Sequence, residues 1–285
     1  SVSEGSSLAN YQVLYRFHGV AAHAGGAPHM GRSALDAVEL MNIGVQFLRE
    51  HIPTAARIHY AITDAGGYSP NVVQPEASVL YLMRMPEASE LPELYERVNR
   101  IAEGAALMTG TRAEADFVKA CSNTICNTPL MRALHANMEA IPRPEYSEEE
   151  GAFAKALQET LAGGVPEGEP YAREVEPLTG TEQTGSGSTD IGDVSWVCPT
   201  GYFHAATMPR GVEGHTWQMV SCGKTAFAHA GMLYAGKVIA ATAVDLYEDP
   251  ALVEAAKADL RARTGGEYVC PIPEGVQPRS LSQLK

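Results

Sequence analysis

A glycine-rich turn carrying two histidines is the part of this sequence best suited to chemistry. It runs from His23 to His29 in the order His-Ala-Gly-Gly-Ala-Pro-His, and a long helical pattern follows it. Glycine lets a backbone come close to a ligand and lets an imidazole ring face solvent. Ser33 and Asp36 then have the types and spacing of a helix N-cap and a first-turn carboxylate. The segment is therefore interpreted as a functional loop that leads into a helix.

A third histidine has the surroundings of a metal ligand. His215 lies in the order Gly-His-Thr-Trp-Gln, after a predicted strand and a loop. A histidine beside glycine on such a loop can offer a neutral ring nitrogen to a metal ion. Taken alone, the pattern is also typical of a partly buried structural histidine.

Two further segments carry polar groups that could contact a substrate or a metal ligand. Small residues that include Gly187 lead to the carboxylates Asp190 and Asp193. A carboxylate there either orients a histidine ligand or caps the next element. Asn71 follows a turn, and Arg84 lies in a predicted strand; both types suit a substrate carbonyl or carboxylate. Arg84 can equally form an ion pair on the sheet surface.

No complete catalytic set is visible in the sequence. It has no His-x-Asp, no His-Glu-x-x-His, no phosphate-binding glycine-rich loop followed by lysine, and no nucleophile elbow. His18, His51, His59 and His135 fall inside predicted elements and are interpreted as structural or surface residues. The segments described above are therefore parts of a site and not a whole one.

The elements that must position these residues form two groups. Residues 1–10 are predicted to be a connector, and residues 11–125 alternate as strand, helix, strand, strand, helix and strand. That order is typical of a ferredoxin-like sandwich. The strands are predicted at 11–20, 57–63, 78–85 and 111–119, and the helices at 34–52 and 91–108.

The second group, residues 126–285, has too few strands for an independent domain. Helices are predicted at 130–141, 148–161, 225–246 and 250–263, and strands at 193–198 and 201–207. The helix at 225–246 is strongly apolar and is expected to be buried over much of its surface. Because a parallel sheet needs several strand–helix units, this part is predicted to belong to a larger α/β domain.

Composition and charge exclude several classes of function. The 285 residues carry 21 Lys and Arg against 34 Asp and Glu, a net charge of −13, which argues against a nucleic-acid partner. No apolar run is judged long enough to cross a bilayer, so no membrane partner is expected. Five scattered cysteines suit reduced thiols in the cytoplasm better than a disulfide framework.

Long strings of the sequence resemble the dinuclear-zinc aminoacylase and carboxypeptidase superfamily. Within it, the likeness is to the B-type subunit of the p-aminobenzoyl-glutamate hydrolase family. The histidine-rich turn carries the likeness, together with four further strings that extend it over nearly the whole chain: 33–42, 47–52, 101–109 and 193–196. Cys270-Pro271-Ile272-Pro273 belongs to the same likeness.

The resemblance implies roles for the residues described above. A ferredoxin-like lid interrupts the catalytic domain in such enzymes and forms a homodimer. The lid histidine, here His23, reaches the partner's active site and polarises the amide carbonyl, and Asn71 supports the same oxygen. The remaining substrate contacts are expected at His29, Arg84 and Gly187, although His29 can also be simply solvated. Asp190 is expected behind the metal ligands.

The resemblance further implies a metal-dependent amidohydrolase that cleaves N-acyl amino acids such as p-aminobenzoyl-glutamate. Two divalent ions, zinc or manganese, are implied for the complete enzyme, with His215 as the one ligand in this chain and a related partner subunit as a further possibility. The N-terminal metal-binding half has no counterpart here, so the chain alone is expected to be incomplete and inactive. The alternative is a non-catalytic dimerisation or binding module derived from such an enzyme.

Overall fold

The chain folds into a mixture of helices and strands, as the sequence predicts. The computed structural model describes residues 1–277. The strands within this range are β1 (Gly5–Ser6), β2 (Ala9–His18), β3 (Arg57–Asp64), β4 (Glu76–Met85), β5 (Arg112–Cys121) and β6 (Gln183–Thr184). The α-helices are α1 (Ala34–Leu48), α2 (Leu91–Thr109), α3 (Thr128–Ala140), α4 (Glu148–Gln158), α5 (Ile191–Val197), α6 (Trp217–Cys222), α7 (Ala226–Glu248) and α8 (Pro250–Thr264).

The chain divides into two compact units. The sheet unit contains residues 6–124 and 183–197 and the described residues from 267 onward. The helical unit contains residues 1–5, 125–182 and 198–266. This division differs from the predicted boundary near residue 125, because two later segments pack with the sheet unit.

A four-stranded antiparallel sheet forms the sheet unit. Its strands lie in the order β3-β4-β2-β5, which leaves β3 at one edge and β5 at the other. Alternate residues of β4, from Ala77 to Met85, are buried. They form one core with the buried residues of α1 and α2, so the helices cover one face of the sheet.

Helix α1 begins where the sequence predicts, for a local reason. The Ser33 hydroxyl accepts the Asp36 N–H at 3.1 Å, which satisfies one of the free donors of the first turn. The helix ends at Leu48, before the predicted residue 52, and a 3₁₀ turn over Arg49–His51 replaces its last residues. Tighter turns of this kind are common at helix ends.

Two predicted strands are wrong. Residues 193–198 lie almost wholly in helix α5, and residues 201–207 contain only an isolated bridge between Val2 and Phe203. Helix α5 begins at Ile191, whose N–H donates to the Thr189 hydroxyl at 3.3 Å. A short apolar run fits a strand or a helix equally well by its periodicity, and here the tertiary contacts selected the helix.

The N-terminal residues are not the loose connector that the sequence predicts. Leu8 and Ala9 are buried in the sheet unit, and Ala9 already belongs to β2. Val2 is buried in the helical unit. Apolar residues spaced through a polar stretch are too few to produce a periodic pattern, so the prediction missed them.

Helix α7 is more exposed than predicted. Tyr234 and Val238 are buried in the core of the helical unit, but Leu233, Ile239 and Tyr247 are 62%, 58% and 88% exposed. Among the described residues, α7 is the one helix that is long and apolar enough to cross a membrane. The sequence-based expectation was that no apolar run is long enough. Core helices of soluble proteins meet the same criterion, so length and composition do not decide between the two.

Candidate active site

The histidine-rich turn and the Asn71 turn lie side by side in the sheet unit. His23 forms an isolated antiparallel bridge with Val72, and the Ala24 N–H donates to the Asn71 carbonyl at 2.9 Å. The Val73 N–H donates to the Ala22 carbonyl at 2.9 Å, which extends the pairing. Both the His23 and the Asn71 side chains are exposed. The structure therefore brings together the two residues predicted to act on one carbonyl oxygen.

Two backbone N–H donors determine the tautomer of the neutral His23 ring. The N–H groups of Gly25 and Gly26 donate to His23 Nδ1 at 3.1 and 2.9 Å. A ring nitrogen that accepts hydrogen bonds carries no proton, so the neutral ring has its proton on Nε2. The turn thus prepares His23 to donate a hydrogen bond from Nε2.

His29 lies in the same loop but has a less specific environment. It belongs to a 3₁₀ turn over Pro28–Met30, and its side chain is exposed. Its main-chain carbonyl accepts a hydrogen bond from the Arg32 guanidinium at 3.2 Å. Its predicted substrate contact therefore stays a prediction.

Arg84 lies at the opposite end of the sheet. Its Nη1 donates to the Ser188 hydroxyl at 3.0 Å and to the Ser186 carbonyl at 3.4 Å. Its Nε is buried and has no hydrogen-bond partner among the described residues. Burial lowers the pKa of the Arg84 guanidinium. The predicted ion pair of Arg84 on the sheet surface is not formed within residues 1–277.

Gly187 and Asp190 lie in or beside the segment that contacts Arg84. The Gly187 carbonyl accepts the Leu8 N–H at 2.7 Å. The Asp190 carboxylate accepts the Thr189 hydroxyl at 3.4 Å and is exposed. Capping of α5 was one of the two roles predicted for this carboxylate. Thr189 caps α5 instead.

The carboxylate of Asp193 is tied into the fold. It accepts the Ser122 hydroxyl at 2.7 Å and the Tyr268 hydroxyl at 3.0 Å. The Ser122 N–H also donates to it. These contacts position α5 and the segment that precedes it, which carries Gly187 and Asp190.

The candidate residues of the sheet unit therefore form two separate groups. His23 and Asn71 lie beyond the Glu76 end of β4, whereas Arg84 lies eight positions farther along that strand. At roughly 3.3 Å per residue the groups are about 26 Å or more apart. A small substrate cannot span that distance.

His215 lies in the helical unit, on a loop before α6. Among residues 1–277 it is the one non-glycine residue with a positive φ, which is 61°. Its side chain is exposed. Thr216 follows it and caps α6 by accepting the Met219 N–H at 3.2 Å. Within residues 1–277 no three His, Cys, Asp or Glu residues lie together as a metal site. This part of the chain does not assemble a metal centre by itself.

Two basic residues beside Arg84 were not predicted from the sequence as site residues. Arg57 is directly opposite Arg84 in the β3–β4 pairing, and His59 is the next residue of β3 on the same face. Burial lowers the pKa of the His59 imidazole, and the charges of Arg84, Arg49 and Arg57 lower it further. The signal available in the sequence was the Arg-x-His spacing at alternate positions of a strand.

Comparison with known proteins relates the sheet unit to a domain family. Residues 8–108 match the model of the peptidase dimerisation domain family, M20_dimer. The match covers β2, β3, β4 and α1, and all of α2 except its last residue. The turn with His23 and the turn with Asn71 lie within it.

The full chain resembles particular hydrolases. It is 45% identical to a subunit of the p-aminobenzoyl-glutamate hydrolase of Escherichia coli (strain K12), over 96% of this chain and 62% of that protein. It is 27% identical to the Xaa-Arg dipeptidase of Mus musculus over 92% of this chain and 54% of that protein. The predicted resemblance is confirmed, and the chain spans between half and two thirds of the length of these relatives.

A solved structure was also matched. The aminobenzoyl-glutamate utilization protein from Klebsiella pneumoniae is 26% identical, with a TM-score of 0.40, over 50% of this chain and 36% of that one.

Proposed function

We propose that this chain is part of a metal-dependent amidohydrolase that cleaves N-acyl amino acids such as p-aminobenzoyl-glutamate. The 45% identity to a p-aminobenzoyl-glutamate hydrolase subunit supports the substrate class. Because the chain covers 62% of that subunit, the proposed activity is that of the whole protein and not of this chain alone.

The observation that carries the proposal is the separation of His23 from Arg84 along β4. Two groups about 26 Å apart cannot contact one small substrate within a single chain. In a twofold dimer, the His23 end of one protomer can lie beside the Arg84 end of its partner. The sheet unit then acts as a ferredoxin-like lid that contributes to the active sites of both protomers.

The dimer contact is proposed on the outer surface of α1 and the free edge strand β3. Ile43 and Phe47 of α1 are 53% and 70% exposed, and Tyr60 and Ile62 of β3 are 40% and 46% exposed. A free strand edge beside exposed apolar side chains is a ready surface for pairing with another chain. A related partner of similar fold is the alternative to a second copy.

His23 supplies electrostatic stabilisation in this reaction. Its Nε2–H donates to the amide carbonyl oxygen of a substrate bound to the partner protomer, and the bond strengthens as negative charge develops on that oxygen. Asn71, on the adjacent backbone segment, offers a side-chain N–H to the same oxygen. His29, from the same loop, and Arg84 and Gly187, from the other end, complete the substrate contacts.

The proposed function also includes metal ions. Two divalent ions, zinc or manganese, would be held by residues outside this chain together with His215. Among residues 1–277 no group of three or more His, Cys, Asp or Glu residues could hold a metal ion. The five free cysteines are in keeping with a cytoplasmic protein.

Mixing of two inactive variants tests the shared site. The full-length protein is prepared as His23→Ala and as Arg84→Ala, and each homodimer is expected to lose most hydrolysis of p-aminobenzoyl-glutamate. After dissociation and reassociation, a mixed dimer contains one site with both groups intact, so activity should reappear. The control is a His23→Ala, Arg84→Ala double variant mixed with itself, which should stay inactive. Mixed dimers that form but stay inactive contradict the shared site.

A further inference from the structure

The segments that carry His23 and Asn71 continue the pairing of β2 with β4 beyond the end of the sheet. The Gly19 N–H donates to the Pro75 carbonyl at 2.6 Å, in register with the last pair of the two strands. The pairing that follows joins His23 to Val72. The register therefore changes by one residue between these two contacts.

The change of register is a bulge, in which Val20 and Ala21 lie opposite the single residue Gln74. A bulge leaves its extra residue without a partner on the neighbouring strand. Here the start of α1 supplies the partners. The Val20 N–H donates to the Arg32 carbonyl at 2.8 Å and the Arg32 N–H donates back at 2.9 Å, while the Gln74 carbonyl accepts the Ala34 N–H at 2.8 Å.

The side chain of Gln74 adds a second hydrogen bond to the start of α1. The Ser33 hydroxyl donates to Gln74 Oε1 at 3.2 Å. The same hydroxyl accepts the Asp36 N–H as the N-cap of the helix, which leaves its own proton for Gln74. Ala34 is fully buried in the core, so the start of the helix is a fixed anchor. Gln74 is thus bound to α1 through both of its oxygens.

The turn that carries Asn71 closes on Gln74 from another direction. Gly66 of this turn has a φ of 82°, and a Cβ there would lie 2.5 Å from Gln74 Cβ. The Gly66 N–H donates to the Asp64 carboxylate at 2.8 Å, which holds the glycine in place. Gln74 is therefore confined by the turn as well as by α1.

We propose that Gln74 is a positioning residue that holds the register of the two segments and so sets the position of Asn71 relative to His23. This inference rests on the proposed function, in which both side chains contact one carbonyl oxygen. Pairing between exposed, glycine-rich segments specifies register weakly. A slip of one residue would move one segment along the other by roughly 3.3 Å. A misplacement of about 1 Å can already lower a rate about 100-fold.

Amide hydrogen exchange in the full-length protein tests the register without depending on hydrolysis. Gln74→Met removes the side-chain oxygen and keeps an unbranched side chain. The N–H groups of Ala24 and Val73, which bond across the pairing beyond the bulge, should then exchange about tenfold faster or more. The Gly19 N–H, before the bulge, should exchange at the wild-type rate. Unchanged exchange at Ala24 and Val73 overturns the proposal, as does equal acceleration at Gly19.

Kinetics connect the register to the reaction. In the full-length enzyme, Gln74→Met should lower kcat about tenfold with little change in KM, because the displaced side chains act on the developing oxyanion. Gln74→Glu keeps an acceptor for the Ser33 hydroxyl and should restore most of kcat. An equal loss in both variants overturns the role of this hydrogen bond. A protein whose Ala24 and Val73 amides respond to Gln74→Met, but which hydrolyses no N-acyl amino acid, retains the positioning role and contradicts the proposed function alone.

Removal of the other partner separates positioning from stability. Ser33→Ala should lower kcat as Gln74→Met does, and the double variant should lose little more than either single variant. Ser147→Ala is the matched control, because Ser147 caps α4 by accepting the Glu150 N–H at 3.2 Å. It should lower the unfolding temperature through loss of its cap and leave kcat unchanged. Losses of kcat that multiply in the double variant contradict a shared bond between Ser33 and Gln74.

Discussion

The main-chain N–H of Gly26 lies 2.9 Å from Nδ1 of His23 and donates a hydrogen bond to it. Gly25 donates to the same nitrogen at 3.1 Å. The loop therefore does more than expose a histidine, because it selects the tautomer with the proton on Nε2. A hydrogen-bond donor that is fixed in advance costs little reorganisation when charge develops on a substrate oxygen.

Replacement of Gly26 by proline tests this relationship. Proline has no N–H, so one donor to Nδ1 is lost and the Nε2–H tautomer should become less populated. The ¹⁵N chemical shifts of the His23 ring report the tautomer directly, and turnover in the full-length enzyme should fall by about tenfold. Gly26→Ala is the control, because its Cβ would lie at an ordinary 3.5 Å from His23 Nδ1 and the N–H remains. Unchanged ring shifts in the proline variant contradict the role of the donor.

Removal of the predicted catalytic histidine and removal of the predicted metal-ligating histidine should have different consequences in the full-length protein. His23→Ala removes a donor to the developing oxyanion, so kcat should fall by roughly 10²–10³-fold while bound metal stays unchanged. His215→Ala removes a proposed ligand, so metal content should fall. Atomic absorption on both variants distinguishes these roles. Metal loss in step with activity for His23→Ala, or full occupancy for His215→Ala, contradicts the assignment.

Gly192 is required for the packing of α5. A Cβ at this position would lie 2.0 Å from the Ser122 main-chain oxygen, which cannot move away as a side chain could. Gly192→Ala should therefore destabilise the protein by about 1–3 kcal/mol, measured as a lower unfolding temperature. Gly187→Ala is the control, because a Cβ there meets nothing within 4 Å. Equal unfolding temperatures for the two variants contradict the packing argument.

His59 predicts a pH dependence of stability with a definite sign. Burial and the nearby arginines lower its pKa below the ordinary value of 6.5, so the folded protein binds fewer protons than the unfolded chain between the lowered pKa and 6.5. The free energy of unfolding should consequently fall as the pH decreases through that window. His59→Gln should lose less stability than the wild type between pH 8 and pH 5, in a buffer without polyvalent anions. The same acid sensitivity in His59→Gln and the wild type contradicts the prediction.

Local physical chemistry accounts for the elements that the sequence predicted well. Helix α2 spans Leu91–Thr109, close to the predicted 91–108, because its apolar spacing, the Pro92 in its first turn and the left-handed Gly110 at its end all act within a few residues. The predicted strand at 193–198 was wrong because nothing local separates a short strand from a short helix. Long-range contacts of Ser122 and Tyr268 with Asp193 accompany the observed helix.

The sequence by itself determined which residues have suitable chemistry, namely His23, Asn71, Arg84 and His215, and the extent of the main helices. Only the tertiary structure decided that His23 adjoins Asn71, that Arg84 lies at the far end of the sheet, and that Arg57 is opposite Arg84. The reason is that capping and periodicity depend on near neighbours, whereas strand register joins positions far apart in the sequence. Register therefore set both the distance between the two groups of site residues and the pairing of Arg57 with Arg84.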